Sequence, residues 1–144
     1  MDRLLVALVI VVVALAVAAG LRARRRSDPP TQPAGNVPVQ LDRADFPRPD
    51  AAWLVVVFTS ATCATCADVA TKAAVLESED VAVVESEYQR QRGVHQRYGV
   101  DAVPLTVVAD RSGVVRRSFL GPVSATDLWA AVAWTRDDED AGPA

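Results

Sequence analysis

Apolar and polar positions divide the chain into an apolar N-terminus, a proline-rich segment and a region of alternating strand and helix patterns. The N-terminal stretch, 4–21, spans 18 residues and is apolar everywhere except at Gly20. At about 1.5 Å per helical residue, such a run approaches the roughly 30 Å hydrocarbon core of a bilayer. We therefore predict one N-terminal transmembrane helix.

The charges beside this run favour a retained anchor over a cleaved signal peptide. Four arginines follow it within 22–26, whereas a signal peptide carries its positive charge before the apolar region, where Arg3 stands alone. A cleaved signal peptide is the alternative, because the alanines within 14–18 match the small residues that precede a signal-peptide cleavage site. Arginines near a span tend to stay on the cytoplasmic side. We expect a single-pass cell-membrane protein whose domain is cytoplasmic, with an extracytoplasmic domain as the alternative.

The region 51–136 has the pattern of a small α/β domain. A β-branched apolar run that ends at Thr59 predicts a strand, and the alanine-rich amphipathic stretch that follows predicts a helix. Farther on, Gly99 is placed to end another helix, and a polar turn at 110–113 joins two more strands. Ser124, with Asp127 three positions later, is an N-terminal capping pattern that predicts the start of the last helix. About 85 residues bury a single core, which leaves no room for a second domain.

Segments of different composition flank this domain. Six prolines stand among polar residues in 27–50, which predicts an extended tether, with 37–41 as a candidate edge strand. The acidic tail, 137–144, is predicted to be disordered. The predicted order is therefore a basic-flanked anchor over 1–26, the tether, the domain and the tail.

Net charge argues against nucleic acid as a partner. From residue 27 onward the chain has 10 basic and 17 acidic residues, a balance of −7. Binding to phosphate backbones depends on an excess of positive charge. We expect a monomer that acts on other proteins.

The only two cysteines, Cys63 and Cys66, stand at the predicted junction between strand and helix. Unpaired N–H groups and the positive end of the helix dipole favour a thiolate there, so we predict that Cys63 is the nucleophile. Cys66, about one turn later on the same predicted helix, is placed to attack a mixed disulfide formed at Cys63. This position and spacing predict a redox-active dithiol.

Other roles for the two cysteines fit the sequence less well. Inert buried cysteines or a static structural disulfide do not require this spacing at a helix start. A closed zinc site normally has four ligands, and the chain adds only one histidine, His95, to the cysteine pair. We expect neither a bound metal nor an organic cofactor.

The order of the motifs resembles the thioredoxin superfamily. Over 51–134 the pattern is a strand, a Cys-x-x-Cys helix, a strand, a helix, a Tyr-Gly-Val-x-x-Val-Pro segment at 98–104, a hairpin and a final helix. The resemblance implies a thioredoxin-like α/β fold with a central mixed β-sheet flanked by helices. It also implies that Pro104 is cis and faces the dithiol, and that the backbone of Val103 holds an extended substrate segment.

The chain departs from thioredoxins proper around the dithiol. Its sequence over 62–66 is Thr-Cys-Ala-Thr-Cys in place of Trp-Cys-Gly-Pro-Cys, and Val57 stands where family members commonly bury an acid. Four nearby charged residues are candidates for proton handling, but we interpret each as a solvated surface charge: Asp68, Lys72, Glu85 and Glu87.

Other conspicuous side chains are assigned to structure. We place His95 on an exposed helix face remote from the dithiol, and Trp53, Trp129 and Trp134 in the core or at its boundary. The single lysine beside 14 arginines is the bias of GC-rich coding sequence. We expect an actinobacterial source on that basis.

Taken together, these patterns predict a membrane-tethered thiol-disulfide oxidoreductase that acts on protein thiols or disulfides. One alternative is a thioredoxin-like protein-binding module that has lost efficient catalysis. The other is a carrier of copper or a similar soft metal, held by the two thiolates.

Overall fold

The computed structural model of the chain describes residues 11–13 and 35–140. Within these residues, no helix is both long and apolar enough to cross a bilayer. The predicted anchor over 1–26 lies outside the described residues, apart from the helical positions 11–13. Membrane insertion therefore stays a prediction.

The central layer of the domain is a mixed sheet of four strands. Strand β1 runs parallel to β2 and antiparallel to β3, and β4 runs antiparallel to β3, which gives the order β2-β1-β3-β4. The predicted mixed sheet is confirmed. The strands span Trp53–Thr59 (β1), Val81–Glu87 (β2), Leu105–Ala109 (β3) and Val115–Leu120 (β4).

The helices of the domain follow the predicted order, with α1 at Cys66–Ala74, α2 at Arg92–Arg97 and α3 at Ala125–Asp140. Gly99 follows α2 with a φ of 63°, a left-handed conformation that ends a helix without strain in glycine. At the start of α3, Asp127 donates its N–H to Ser124 Oγ over 3.1 Å, and the Ser124 hydroxyl donates to Asp127 Oδ2 over 2.7 Å. This reciprocal cap confirms the predicted helix start.

Both faces of β1 are covered, which explains its unbroken apolar sequence. Alternate residues of a strand point to opposite faces, so a strand enclosed on both sides needs apolar residues at every position. All seven residues of β1 are buried. One face packs against α1 and α3 through Val55, Val57, Val69, Leu128 and Val132. The other packs against α2 and the segment before β1 through Leu41, Phe46, Leu54, Phe58 and Val94.

The segment 35–50 before β1 belongs to the domain, which corrects the part of the predicted 27–50 tether that the structure describes. Leu41 is 1% exposed and lies in the core together with Phe46. The Arg43 guanidinium donates to the carbonyl oxygens of Asp110 over 2.8 Å and Ala51 over 2.9 Å. Isolated apolar residues among prolines form no periodic pattern, so their burial depends on hollows provided by distant parts of the chain.

The candidate edge strand over 37–41 forms only a single bridge, between Gln40 and Val114. Gly113 allows the close approach at this point. Its φ is 83°, and a Cβ there would lie 1.9 Å from the carbonyl oxygen of Leu41. The Leu41 N–H donates to the Gly113 carbonyl over 2.8 Å, which fixes the segment against the hairpin.

The last helix is longer than predicted. Helix α3 continues to Asp140, so residues 137–140 are helical where a disordered tail was expected. Leu128, Val132 and Thr135 are buried along one side of this helix, whereas Trp129 and Trp134 are exposed on the other. These two tryptophans therefore lie outside the core, and of the three predicted core or boundary positions only that of Trp53 is confirmed as a core position.

We expect Leu41→Ala to lower the free energy of unfolding by about 2–5 kcal/mol, because it leaves a cavity in a packed core. Val39→Ala is the matched control: Val39 is 79% exposed and lies two residues away, so its loss should cost less than about 0.5 kcal/mol. Urea unfolding of the full chain measures both. Equal losses in the two variants would show that the segment does not contribute to the core.

Candidate functional site

Strand β1 leads directly into the turn that carries the two cysteines. The strand ends at Thr59 and α1 begins at Cys66, so Cys63 lies in the turn before the helix. The prediction that both cysteines share one helix is wrong. The Cys63 N–H donates to the Ser60 carbonyl over 3.0 Å, and the Cys66 N–H donates to the Cys63 carbonyl over 3.4 Å. These consecutive turns place Cys63 just before the N-terminus of α1.

Cys63 and Cys66 form a disulfide, with their Cα atoms 5.5 Å apart. The two residues differ in accessibility, because Cys63 is partly exposed whereas Cys66 is only 2% exposed. An incoming thiolate or disulfide from another protein can therefore approach Cys63 more easily. This asymmetry agrees with attack by Cys63 and resolution by Cys66, roles that stay predictions.

One hydroxyl group lies near the sulfur of the partly exposed Cys63. Thr65 precedes α1 but makes no capping hydrogen bond with its side chain, and its Oγ1 lies 3.8 Å from Cys63 Sγ. Thr62 Oγ1 lies 3.2 Å from Ser60 Oγ within the same turn. A hydroxyl donor beside the sulfur and the positive end of the α1 dipole both stabilise a thiolate at Cys63. These threonines occupy the places of the tryptophan and proline of thioredoxins proper.

A pocket of about 340 Å³ opens beside the disulfide. The two cysteines form part of its wall, and Glu85, Glu87 and Arg90 from the end of β2 form another part. Two carboxylates therefore share a pocket with the dithiol. Both were predicted to be solvated surface charges.

Glu87 is a structural carboxylate and not a solvated surface charge, so that interpretation is wrong. It is 9% exposed, and its oxygens accept backbone N–H groups from Ala61 over 3.2 Å, Gln89 over 3.0 Å and Arg90 over 3.1 Å. The Gln89 hydrogen bond is the largest influence and lowers the pKa of Glu87, against the opposing effect of burial. Because Ala61 belongs to the cysteine turn, Glu87 ties the end of β2 to that turn.

Of the other three charged candidates, Asp68 and Glu85 are exposed and Lys72 is half-buried. Lys72 Nζ lies 2.7 Å from Asp68 Oδ2, an i,i+4 ion pair of α1, and also donates to the Val123 carbonyl over 3.3 Å. Glu85 is exposed as well, but its Oε1 accepts a hydrogen bond from the buried hydroxyl of Thr59 over 2.8 Å. A buried hydroxyl of the neighbouring strand therefore orients Glu85, whereas Asp68 is paired with a side chain of its own helix.

The Val103–Pro104 peptide bond is cis, as the resemblance implied. Leu105 pairs with Phe58 in the antiparallel register, so one step farther Pro104 stands opposite Thr59, at the end of the sheet where the cysteine turn begins. Pro104 is buried, and its carbonyl accepts the Gly121 N–H over 2.7 Å. Val103 is half-buried against the core. The substrate-binding roles of both residues stay predictions.

His95 is buried, which overturns its expected place on an exposed face. Its Nε2 lies 2.8 Å from the Ser86 carbonyl oxygen, and its ring meets the edges or faces of Phe58 and Tyr88 at nearly right angles. The ring thus packs as a core side chain with one polar atom satisfied. Sequence periodicity could not show this, because α2 has only six residues.

No protein-family model and no curated protein matches the sequence. Solved structures do resemble the domain. One is described as a malarial protein, with a TM-score of 0.52 and 15% identity over 57% of this chain and 94% of that one. The germline-specific thioredoxin Deadhead from Drosophila melanogaster has a TM-score of 0.51 and 20% identity over 59% of this chain and 82% of its own.

The chain has the thioredoxin fold. A thioredoxin mutant from Halobacterium salinarum NRC-1 is also similar, with a TM-score of 0.49 and 22% identity over 55% of this chain and 70% of its own. Within a thioredoxin fold, a Cys-x-x-Cys pair at disulfide distance before α1 supports a redox-type function.

The packing of the sheet also explains why the sequence did not single out Thr59 and why Glu85 was interpreted only as a solvated surface charge. Thr59 is buried and Glu85 exposed at the ends of strands that are otherwise apolar on this face. The signal available in the sequence was the change from valine to glutamate at alternate positions of β2, at 81, 83, 85 and 87. That change marks the point along β2 beyond which α1 no longer covers this face of the sheet.

Glu87→Gln keeps the shape of the side chain but removes its charge. The Glu87 pKa is held below its ordinary value of 4.5. Its ionised form therefore stabilises the fold above that pH, and this contribution is lost as the pH falls through the lower folded pKa. We expect the variant to be less stable than the wild type at pH 7, with a smaller difference at pH 3. Urea unfolding at both pH values tests this.

The matched control for Glu87 is Glu79→Gln, an exposed carboxylate before β2. It should show little difference from the wild type at either pH. A Glu87→Gln deficit of the same size at pH 7 and pH 3 would show that charge is not what Glu87 contributes.

Proposed function

We propose that this protein is a thiol-disulfide oxidoreductase for protein substrates. The observation that carries the proposal is the disulfide between an accessible Cys63 and an enclosed Cys66, directly before α1 of a thioredoxin fold. One reachable sulfur and one protected sulfur suit a two-step exchange, because only Cys63 meets the substrate.

In the reducing direction, the Cys63 thiolate attacks one sulfur of a substrate disulfide and displaces the other as a thiolate. The thiol of Cys66 then loses its proton, and its sulfur attacks Cys63, which breaks the mixed disulfide and releases the second substrate sulfur. The dithiol gives up two electrons and the substrate disulfide takes them. The oxidising direction is the reverse of these steps.

Substrate binding is proposed to use the end of the sheet beside the cysteine turn. Pro104 stands opposite Thr59 there, and Val103 is the residue before Pro104, just ahead of β3. An extended segment that carries a cysteine could lie along this end with its sulfur at Cys63. Backbone contacts of this kind accept many sequences, which suits a protein that acts on several partners.

The apolar run 4–21 and its arginine flank support a membrane-tethered form of this activity, with the domain on the cytoplasmic side. A tether would raise the effective concentration of the domain near other membrane-associated proteins. Activity on the extracytoplasmic side is the alternative.

We expect a reversible two-electron equilibrium between the dithiol and disulfide forms in a glutathione titration of the full chain, followed by alkylation of Cys63 and Cys66. Cys66→Ser should accumulate a mixed disulfide at Cys63. The matched variant, Cys63→Ser, should react with glutathione disulfide about tenfold more slowly or worse, because Cys66 is enclosed.

Failure of the dithiol to re-form a disulfide at any glutathione ratio would overturn the oxidoreductase proposal. Stoichiometric uptake of Cu(I) by the reduced chain would then favour a metal carrier. Partner binding that survives in a Cys63→Ser, Cys66→Ser double variant would favour a binding module.

A further inference from the structure

Resolution of a mixed disulfide requires Cys66 to lose a proton in a place that water barely reaches. Cys66 is 2% exposed, and Val69 of the same helix is fully enclosed below it. Removing a thiol from water disfavours its charged form. A base that reaches both Cys66 and solvent would remove this obstacle.

Val57 of β1, which is buried, lies on the face of the sheet that α1 covers. In the parallel pairing of β1 and β2, Val57 lies directly opposite Glu85. Paired residues of neighbouring strands project to the same face of a sheet. Val57 packs under α1 together with Val69. The Glu85 side chain therefore projects from the same face of the sheet, at the end that α1 leaves uncovered.

The Glu85 carboxylate is oriented toward β1 and shares space with the dithiol. Its Oε1 accepts the hydroxyl of Thr59 over 2.8 Å, and Thr59 itself is buried. Thr59, Glu85 and Cys66 all line the 340 Å³ pocket beside the disulfide. Glu85 is also exposed, so it can exchange protons with bulk water, whereas Cys66 cannot.

Glu87 is less suited to this role. Its oxygens are committed to three backbone N–H groups, and Arg90 Nε lies 3.6 Å from its Oε2. These interactions favour the ionised form and lower its pKa, which makes it a poor proton acceptor. Besides Glu85, the charged groups that line the pocket are Glu87 and Arg90.

We propose that Glu85 accepts the thiol proton of Cys66 during resolution, directly or through one water in the pocket. This inference rests on the proposed function. The S–H bond of Cys66 breaks, and its proton passes to the Glu85 carboxylate. The Cys66 sulfur forms a bond to Cys63, and the bond between Cys63 and the substrate breaks with its electron pair on the leaving sulfur. Glu85 then returns the proton to solvent or to that sulfur.

The test uses the reduced full chain and 5,5′-dithiobis(2-nitrobenzoate) in stopped flow. Attack by Cys63 releases one nitrothiobenzoate, and resolution by Cys66 releases the second, so the two steps appear as separate phases of absorbance. Each phase is measured between pH 6 and pH 9. The second phase reports the proposed proton transfer, and the first serves as an internal reference.

We expect Glu85→Gln to leave the first phase unchanged and to slow the second about tenfold or more at pH 7, since general-base assistance contributes about 10²–10⁴-fold in enzymes. The rate of the second phase should then depend more steeply on pH, because hydroxide in solvent must remove the proton. Thr59→Val keeps the Glu85 carboxylate but removes the hydroxyl that orients it, so we expect the second phase to slow by less than in Glu85→Gln. Glu85→Asp should recover part of the rate.

Glu79→Gln, on the loop before β2, is the matched control and should leave both phases as in the wild type. If the wild type resolves in two phases and Glu85→Gln is indistinguishable from it, the role of Glu85 is overturned while the oxidoreductase proposal stands. If the wild type never releases the second nitrothiobenzoate, the proposed function itself fails.

Discussion

The enclosure of β1 is the constraint on which the rest of the domain depends. This strand is buried on both faces and paired on both edges, to β2 in parallel and to β3 in antiparallel fashion. Its backbone polar groups find hydrogen-bond partners only in those two strands. Its valines are buried only because other elements cover both faces of the sheet. The position of the cysteine turn follows, because the turn begins where β1 leaves this enclosure.

The site lies at the boundary between apolar cover and solvent. Along one face of β2 the alternate residues are Val81, Val83, Glu85 and Glu87, so charge begins beside the N-terminus of α1, beyond which the helix no longer covers the sheet. Glu87 is fixed by backbone donors and secures the cysteine turn, whereas Glu85 is oriented by one hydroxyl and stays open to water. Two identical side chains thus have different physical environments two residues apart.

Local patterns in the sequence were sufficient for most of the fold and for the centre of the site. The valine run of β1, the glycine that ends α2 and the Ser124–Asp127 cap are short-range signals, and each appears where it was predicted. Cys63 and Cys66 needed only their spacing and a strand before them. The start of α1 was less certain, because a turn and the first turn of a helix have similar residue preferences.

What the sequence by itself determined is the order of elements and the dithiol, since both follow from hydrophobic periodicity and local turn chemistry. Only the tertiary structure decided the environment of each polar group. Burial of Leu41, Arg43 and His95, and the approach of Glu85 to the pocket of Cys66, depend on contacts between residues far apart in the chain. A local pattern carries no information on such contacts, because burial is a property of the packed layers around a residue.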